Sequence, residues 1–396
     1  MKRLRATAVI AALALTVTGT AHAEHRTDTR TLQRLADAML AQGAPGVLVG
    51  VDTARGDVRV RSGYGDVDRR TPVPWRAKFR IGSYTKTFVA ATVLHLVGEG
   101  RLSLEDTVDR WLPGVVTGNG NDGTKITVRN LLQHTSGLPN YVGRLPELFL
   151  EAKFDDVRFR TYRPEQLVAL AVREKPDFQP GERWSYSNTG YVLAGMIIER
   201  VTGNTWQHEV RTRIVEPLGL RDTFLPGTSP FLPEPHATAY ERFPEKGLEA
   251  DPNDPRYGRA IDVTRYNPSW GGAAGDMIST TADGNAFLKA LLGGRVLRPA
   301  QLAEMTKTVR APELDPAWPG AEYGLGLMRI PDSCGGHWSH GGDIPGFKTR
   351  NGVTADGKRS VMVSINTDSM VPRPGAPELA GDVASELVDH ALCGLK

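Results

Sequence analysis

Ser83-Tyr84-Thr85-Lys86-Thr87-Phe88-Val89-Ala90-Ala91-Thr92-Val93-Leu94-His95-Leu96-Val97-Gly98 begins with a hydroxyl and an amine three residues apart. It continues as a run that is apolar or small at almost every position. Thr85 to Val97 reads as a helix stopped by Gly98 and Gly100, and a helix apolar all round must be enclosed by other elements. Ser83 and Lys86 then share one face of its first turn. A serine hydroxyl is a poor nucleophile until a base takes its proton. A lysine one turn away in a desolvated setting can be that base, because burial lowers its pKa. The helix start also aims backbone N–H groups at negative charge developing beside Ser83.

Outward from this helix, both ends of the chain read as sheet. On the N-terminal side, Leu32, Leu35, Ala36, Met39 and Leu40 recur at helical spacing and stop at Gly43 and Pro45. Gly46–Asp52, a turn at 54–57 and Val58–Ser62 follow as a hairpin. On the C-terminal side, Phe347–Val353, a turn at 355–357 and Arg359–Asn366 form a second hairpin, with a closing helix expected over Glu378–Leu392. The reading is an α+β fold: one antiparallel sheet built from both chain ends, flanked by terminal helices, with a mostly helical insertion. The expected division is a sheet domain over 24–83 and 286–396, a helical domain over 84–285, and an active site where they meet.

The start of the chain carries an address. Lys2, Arg3 and Arg5 precede an apolar run from Ala6 to Val17, and Ala21-His22-Ala23 fits an A-x-A cleavage site. Residues 1–23 therefore read as a signal peptide, and the mature protein is expected to be secreted. A run of this length is too short to span a bilayer, and no membrane span is expected. The chain has 48 Lys+Arg against 45 Asp+Glu, and that excess is the three basic residues of the leader. A neutral mature chain argues against nucleic acid or an anionic membrane as main partner. Its two cysteines, Cys334 and Cys393, could stay as buried thiols; in an oxidising space a bridge is the expectation.

Two further patterns carry chemistry. Tyr186-Ser187-Asn188 lies in a loop after Pro180-Gly181 and before an apolar helix at Tyr191–Val201. A tyrosine beside a cationic lysine could be held partly as phenolate and act as a base. An asparagine amide both donates and accepts, which suits a substrate peptide bond. His340-Gly341-Gly342 precedes the last hairpin; its histidine, as a cation, could orient a substrate anion or tune the Lys86/Tyr186 pair, and its glycines let a substrate approach a strand edge. Each could instead be an ordinary loop or turn, and His337 with His340 could be read as a metal pair. A metal site needs more ligands than that, so no metal and no cofactor are expected. Gly118–Gly123 satisfies G-x-G-x-x-G but reads as a surface turn, and His134 reads as a buried structural histidine. Glu105-Asp106 and Asp155-Asp156 read as solvated acids at helix starts. There is no G-x-S-x-G elbow.

S-x-x-K, Y-x-N and [HK]-[STG]-G in this order resemble the serine penicillin-recognising superfamily, which includes class C β-lactamases, D-Ala-D-Ala peptidases and related esterases. Phe79–Ser83, Gly98–Leu104, Ile126–Leu138 and Tyr323–Leu327 match as well, and within the superfamily the likeness leans to the exocellular D-alanyl-D-alanine carboxypeptidases of actinomycetes. The resemblance implies Ser83 as acylated nucleophile and Lys86 with Tyr186 as the proton-transfer pair. It implies Asn188 on the substrate amide and an oxyanion hole from the N–H groups of Ser83 and Asp343. Trp270 would line the cleft, with His340 and Gly341 beside it, and Cys334 would pair with Cys393. The implied activity is hydrolysis through an acyl-enzyme, with D-Ala-D-Ala carboxypeptidase as the leading case. An esterase or class C-like β-lactamase is the alternative, and a binding module without turnover a third. β-Lactams would be acylating inhibitors or substrates, and a monomer is expected. Two departures bear on substrate. Gly341 and Asp343 stand where those carboxypeptidases have Thr, and their carboxylate-binding Arg falls on Met328, with Arg329 one residue away and on the opposite strand face unless the register shifts.

Overall fold

The computed structural model describes residues 17–243 and 260–394. Most of the leader read from the sequence lies outside these residues. In chain order the elements that place the site are α1 (Val17–Ala41), β1 (Gly46–Thr53), β2 (Gly56–Gly63), α2 (Thr85–Gly98), α3 (Asn188–Thr202), α4 (Thr281–Leu292), β3 (Val309–Arg310), β4 (Glu322–Tyr323), β5 (Met328–Ile330), β6 (His337–Ser339), β7 (Gly342–Ile344), β8 (Phe347–Val353), β9 (Ser360–Ile365) and α5 (Ser385–Asp389).

The strands form one antiparallel sheet in the order β2-β1-β9-β8-β6-β5-β4-β3, with β7 attached to β8. β1 is the joint between the chain ends: Val47 faces Ile365 and Val51 faces Val361 across it. Alternation along β1 and β9 gives the sheet two different faces. Leu32, Leu35 and Met39 of α1 and Leu387 and Val388 of α5 bury one face against Val47, Val49, Val361 and Val363. Helix α4 covers the other, where Gly284 stands so close to Met362 that a side chain there would collide. Because α4 belongs to the sheet's packing, the division drawn at 285/286 falls inside a helix.

Helix α2 has no polar face because it has no exposed face: Phe88, Val89, Ala90, Ala91, Val93 and Leu94 are all fully buried, and α3, with Leu193, Ile197 and Ile198, joins it in the main core. Phe88 stacks on Phe287 of α4 with ring centroids 3.7 Å apart, so the core of the helical region and the second face of the sheet are continuous.

Two expectations are corrected here. The closing helix begins only at Ser385 and runs on to Gly394, leaving Glu378–Ala384 irregular. Asp155 and Asp156 lie near the end of a helix, Glu151–Val157, and not at its start. Asp106 is not simply solvated either, since it accepts from the Trp111 indole and the Ser103 N–H. Cys334 and Cys393 are joined in a disulfide, which ties the β5–β6 turn to the end of the chain. Among the described residues no helix is long and apolar enough to cross a membrane.

Candidate active site

Ser83 sits in a 3-10 turn, Gly82–Tyr84, that feeds directly into α2, so nucleophile and lysine are positioned by one continuous backbone. Gly82 has φ +51°, and a Cβ there would lie 3.0 Å from the backbone N of Asp343; the turn therefore requires glycine twice over. Lys86 is completely buried, and burial pushes its amine well below the usual lysine range. Its Nζ lies 2.7 Å from Asn188 Oδ1, 2.7 Å from the Ala274 carbonyl and 3.0 Å from Ser83 Oγ. The first two partners can only accept. The protonated amine has one N–H for each of the three oxygens; its lowered pKa eases loss of a proton, and the lone pair so formed would face the Ser83 hydroxyl. Lys86 is thus arranged as the proton acceptor for Ser83.

Tyr186 is half-buried and faces Lys86 with its ring centre 5.0 Å from Nζ. Burial raises its hydroxyl above the ordinary tyrosine value, and the nearby Ser83 offsets only part of that. Burial therefore keeps Tyr186 protonated at rest, against the expectation that Lys86 would hold it partly as phenolate. Asn188 opens α3, and with its Oδ1 given to Lys86 and its Nδ2 3.3 Å from Asn140, it fixes the lysine as well as facing the cleft.

His340 is the second correction. It is 2 % exposed and held down to about 3 by burial and then by Lys86, so it is neutral and cannot act as an anion-binding cation. Its Nδ1 faces the Gly341 carbonyl at 2.8 Å and must carry the proton, which makes Nε2 the acceptor for the Tyr323 hydroxyl, also at 2.8 Å. His337 pairs separately with Asp332, so the two histidines are not a joint metal pair.

The third wall is β7. A Cβ on Gly342 would meet the Ser83 nitrogen at 2.9 Å, so this strand lies directly against the Ser83 turn. β7 and β8 are joined by a tight turn, with Ile344 opposite Phe347 and Gly342 opposite Thr349. In such a hairpin the closing pair exchanges hydrogen bonds and alternate pairs follow, which turns the Asp343 N–H away from β8 and towards Ser83. The two backbone N–H groups therefore border one crevice, an arrangement suited to a developing oxyanion.

Ser83, Asn188, Trp270 and Asp343 line a cleft of about 130 Å³ together with Tyr141 and Phe149. A larger hollow, about 710 Å³, lies on the other side of the sheet beneath the irregular 377–384 segment and contains none of the Ser83 cluster. No lysine or arginine is among the described residues that line this cleft, and the cations nearest to it are committed elsewhere. Met328 is buried beside Tyr323, whereas Arg329 turns outward to the Gly335 carbonyl, so no register shift brings it in. Lys348 and Arg350 are both paired with Asp343.

Two groups that matter here, Tyr323 and the Ala274 carbonyl, were given no role from sequence, and His134 is buried and structural as read. Tyr323 holds His340; it opens the matched stretch Tyr323–Leu327, in which no residue was given a role. His134, 4.3 Å from the Tyr186 ring, accepts the Ser187 N–H and straps the Tyr186 loop from below. The carbonyl of Ala274 has no sequence signal at all.

A buried lysine-activated serine facing an oxyanion crevice, at the join of an antiparallel sheet and a helical region, defines an active-site-serine acyl-transfer enzyme. The beta-lactamase family model matches residues 32–385, and the chain belongs to that family of serine hydrolases. Penicillin-binding protein 4* of Bacillus subtilis is 30% identical over 314 residues, 77% of this chain; the chain spans only 64% of that relative's length. The crystal structure of a D-stereospecific amidohydrolase from a Streptomyces species superposes with a TM-score of 0.81 at 40% identity, covering 92% of this chain and 99% of that one. A D-amino acid amidase from Ochrobactrum anthropi, solved with D-phenylalanine, gives 0.76 at 30% identity, covering 92% and 98%.

Proposed function

We propose that the protein is an exported D-stereospecific amidohydrolase that acylates Ser83 with the carbonyl of a D-amino-acyl residue and releases an amine. The observation that carries this reading is the cleft's lack of an uncommitted cation among its described residues. Position 328 is methionine, His340 is neutral, and the two nearby cations belong to Asp343. A buried carboxylate without a partner is very costly, so this cleft favours a neutral leaving side, an amide or ester, over a free terminal acid. The amidohydrolase and the amidase are similar to this chain over nearly their full lengths, which supports the same choice. Peptides ending in D-Ala-D-Ala remain substrates in this reading, cleaved as D-aminoacyl amides with no strong grip on their terminus.

The chemistry follows from the resting geometry. Ser83 Oγ attacks the substrate carbonyl carbon while its proton passes to Lys86 Nζ. The oxyanion is received by the N–H groups of Ser83 and Asp343. Tyr186, protonated at rest and facing Lys86, is placed to hand a proton to the departing amine and regain one from Lys86. Water then repeats the sequence on the acyl-serine. The leader at residues 1–23 would deliver the enzyme outside the cytoplasmic membrane.

The test is kcat/KM for the amides of D- and L-phenylalanine and D- and L-alanine, with acyl-Ser83 trapped by acid quench and intact mass. A preference of at least a hundredfold for the D-amides is expected. Equal rates on both enantiomers, or hydrolysis without an acyl adduct, would refute the reading.

A further inference from the structure

β7 carries the second oxyanion donor, yet it is only three residues long and attaches to the sheet through β8 alone. Two glycines, Gly341 and Gly342, lead into it, and glycine is the residue that most needs outside help to stay in one conformation. Asp343 is its only charged residue. That side chain is about half exposed, but its partners are not: Arg350 is 8 % and Lys348 16 % exposed. Asp343 faces Lys348 across the hairpin, and Arg350, two residues further along β8, lies on the same face. Asp343 Oδ1 accepts from Arg350 Nη1 at 2.7 Å and from Lys348 Nζ at 3.1 Å. Burial works against ionising Asp343; Arg350 and then Lys348 outweigh it and keep the carboxyl well below its usual range.

Arg350 is itself anchored on its far side. Its Nε donates to Asp382 Oδ2 at 2.6 Å, a pair in which both side chains are 8 % exposed. Asp382 is pinned in turn: its other oxygen takes the Ala384 N–H, and its own N–H reaches the Ala317 carbonyl. The guanidinium lies 5.4 Å from the ring centre of neighbouring Trp318. Asp382 is thus joined to Asp343 by one rigid fork, although it belongs to the irregular segment before α5 and does not line the Ser83 cleft.

We propose that Asp382 and Arg350 are positioning residues for the oxyanion hole: the chain Asp382–Arg350–Asp343 fixes β7 and so the place of the Asp343 N–H. Guanidinium geometry is what makes this work, since one planar group addresses two carboxylates at set angles and a lysine cannot. Without Asp382, Arg350 keeps its bonds to Asp343 and the Thr349 carbonyl but loses its anchor outside the hairpin, so β7 keeps its pairing with β8 while its distance to Ser83 is no longer fixed. This rests on the acyl-serine chemistry proposed above but not on its preference for D-amino acids.

The experiment therefore uses p-nitrophenyl acetate, an acyl donor with no stereocentre, and phenylboronic acid, whose adduct with Ser83 places an oxygen in the oxyanion hole. For Asp382→Asn, kcat should fall ten- to a hundredfold with KM within threefold of wild type. The boronate inhibition constant should weaken by the same factor, and the melting temperature should stay close. This is smaller than the loss on deleting an oxyanion donor, roughly a hundredfold to a thousandfold, because the donor is displaced and not removed. Arg350→Lys should show the same parallel losses, less severely than Arg350→Gln, and decides the matter if Asp382→Asn does not fold. Folded Asp382→Asn or Arg350→Lys protein with kcat and boronate affinity within twofold of wild type would overturn the proposal. So would a loss confined to KM. A D-to-L ratio near one would refute the proposed substrate and leave this result standing.

Discussion

The guanidinium of Arg350 occupies the space that a side chain at Gly341 would need: a Cβ built there meets Arg350 Nη1 at 3.3 Å and the Thr349 carbonyl at 3.0 Å. The absence of a hydroxyl in the His340-Gly341-Gly342 motif and the presence of the charge chain behind it are one steric fact. Restoring threonine here should not restore a carboxylate donor. Gly341→Thr is expected to cost about 1–3 kcal/mol by overpacking and to lower kcat, and paired thermal melts and ester assays check both.

Ser83→Ala removes one oxygen from a half-buried turn and nothing from the core. The variant should keep the wild-type melting temperature within a few degrees and lose all covalent labelling by a penicillin. Intact-mass spectrometry after incubation decides it, since an adduct on the alanine variant would place the nucleophile elsewhere.

The free terminus should matter little. For a diacyl-Lys-D-Ala-D-Ala peptide and the same peptide amidated at its end, kcat/KM is expected to differ by tenfold or less, about 1.4 kcal/mol. Arg329 points to the Gly335 carbonyl and Met328 holds the inward position, so the gripping cation is missing. A hundredfold preference for the acid would show that some other cation has taken its place.

His340 gives a pH signature in stability. Its folded value is about 3, below the ordinary 6.5, so between these pH values the unfolded chain binds a proton that the folded chain refuses. Stability from this group is complete above about 6.5 and is lost as pH falls towards 3. His340→Gln should therefore flatten unfolding free energy against pH in that window, by up to about 1.4 kcal/mol per pH unit. Urea titrations at a series of pH values measure the slope, and an unchanged slope would mean that His340 is protonated in the fold.

Reduction of Cys334–Cys393 should lower the melting temperature without changing the active site, which lies on other strands. The bridge spans 59 residues of sequence, for which loop entropy suggests roughly 4 kcal/mol. Melts of the native and reduced protein, with thiol counting to confirm reduction, test this.

Much of the fold was legible because its signals are local or periodic. The run after Ser83 has no polar face, the strands at both ends alternate, and their pairing into one sheet follows from having two half-covered hairpins and one core. Ser83, Lys86 and the Tyr186 loop were legible as patterns because spacing on a helix turn and at a helix start sets which atoms can meet. The charge states were not. The charge states of Lys86, Tyr186 and His340 depend on burial by residues that only the fold brings together, and burial disfavours the phenolate and the histidine cation that the sequence had suggested.

What the chain by itself determined is the scaffold and the identity of the nucleophile, through periodicity and through three short motifs in a set order. What only the tertiary structure decided is the electrostatics of the cleft. Arg350, Lys348 and Asp382 are unremarkable charges in the sequence; folding lays two of them beside Asp343 and sets the third behind Arg350, so that these cations hold a strand and none lines the cleft. The physical reason is range: backbone preference is read over a few neighbours, whereas desolvation and Coulomb energy are set by whatever the fold brings within a few ångströms.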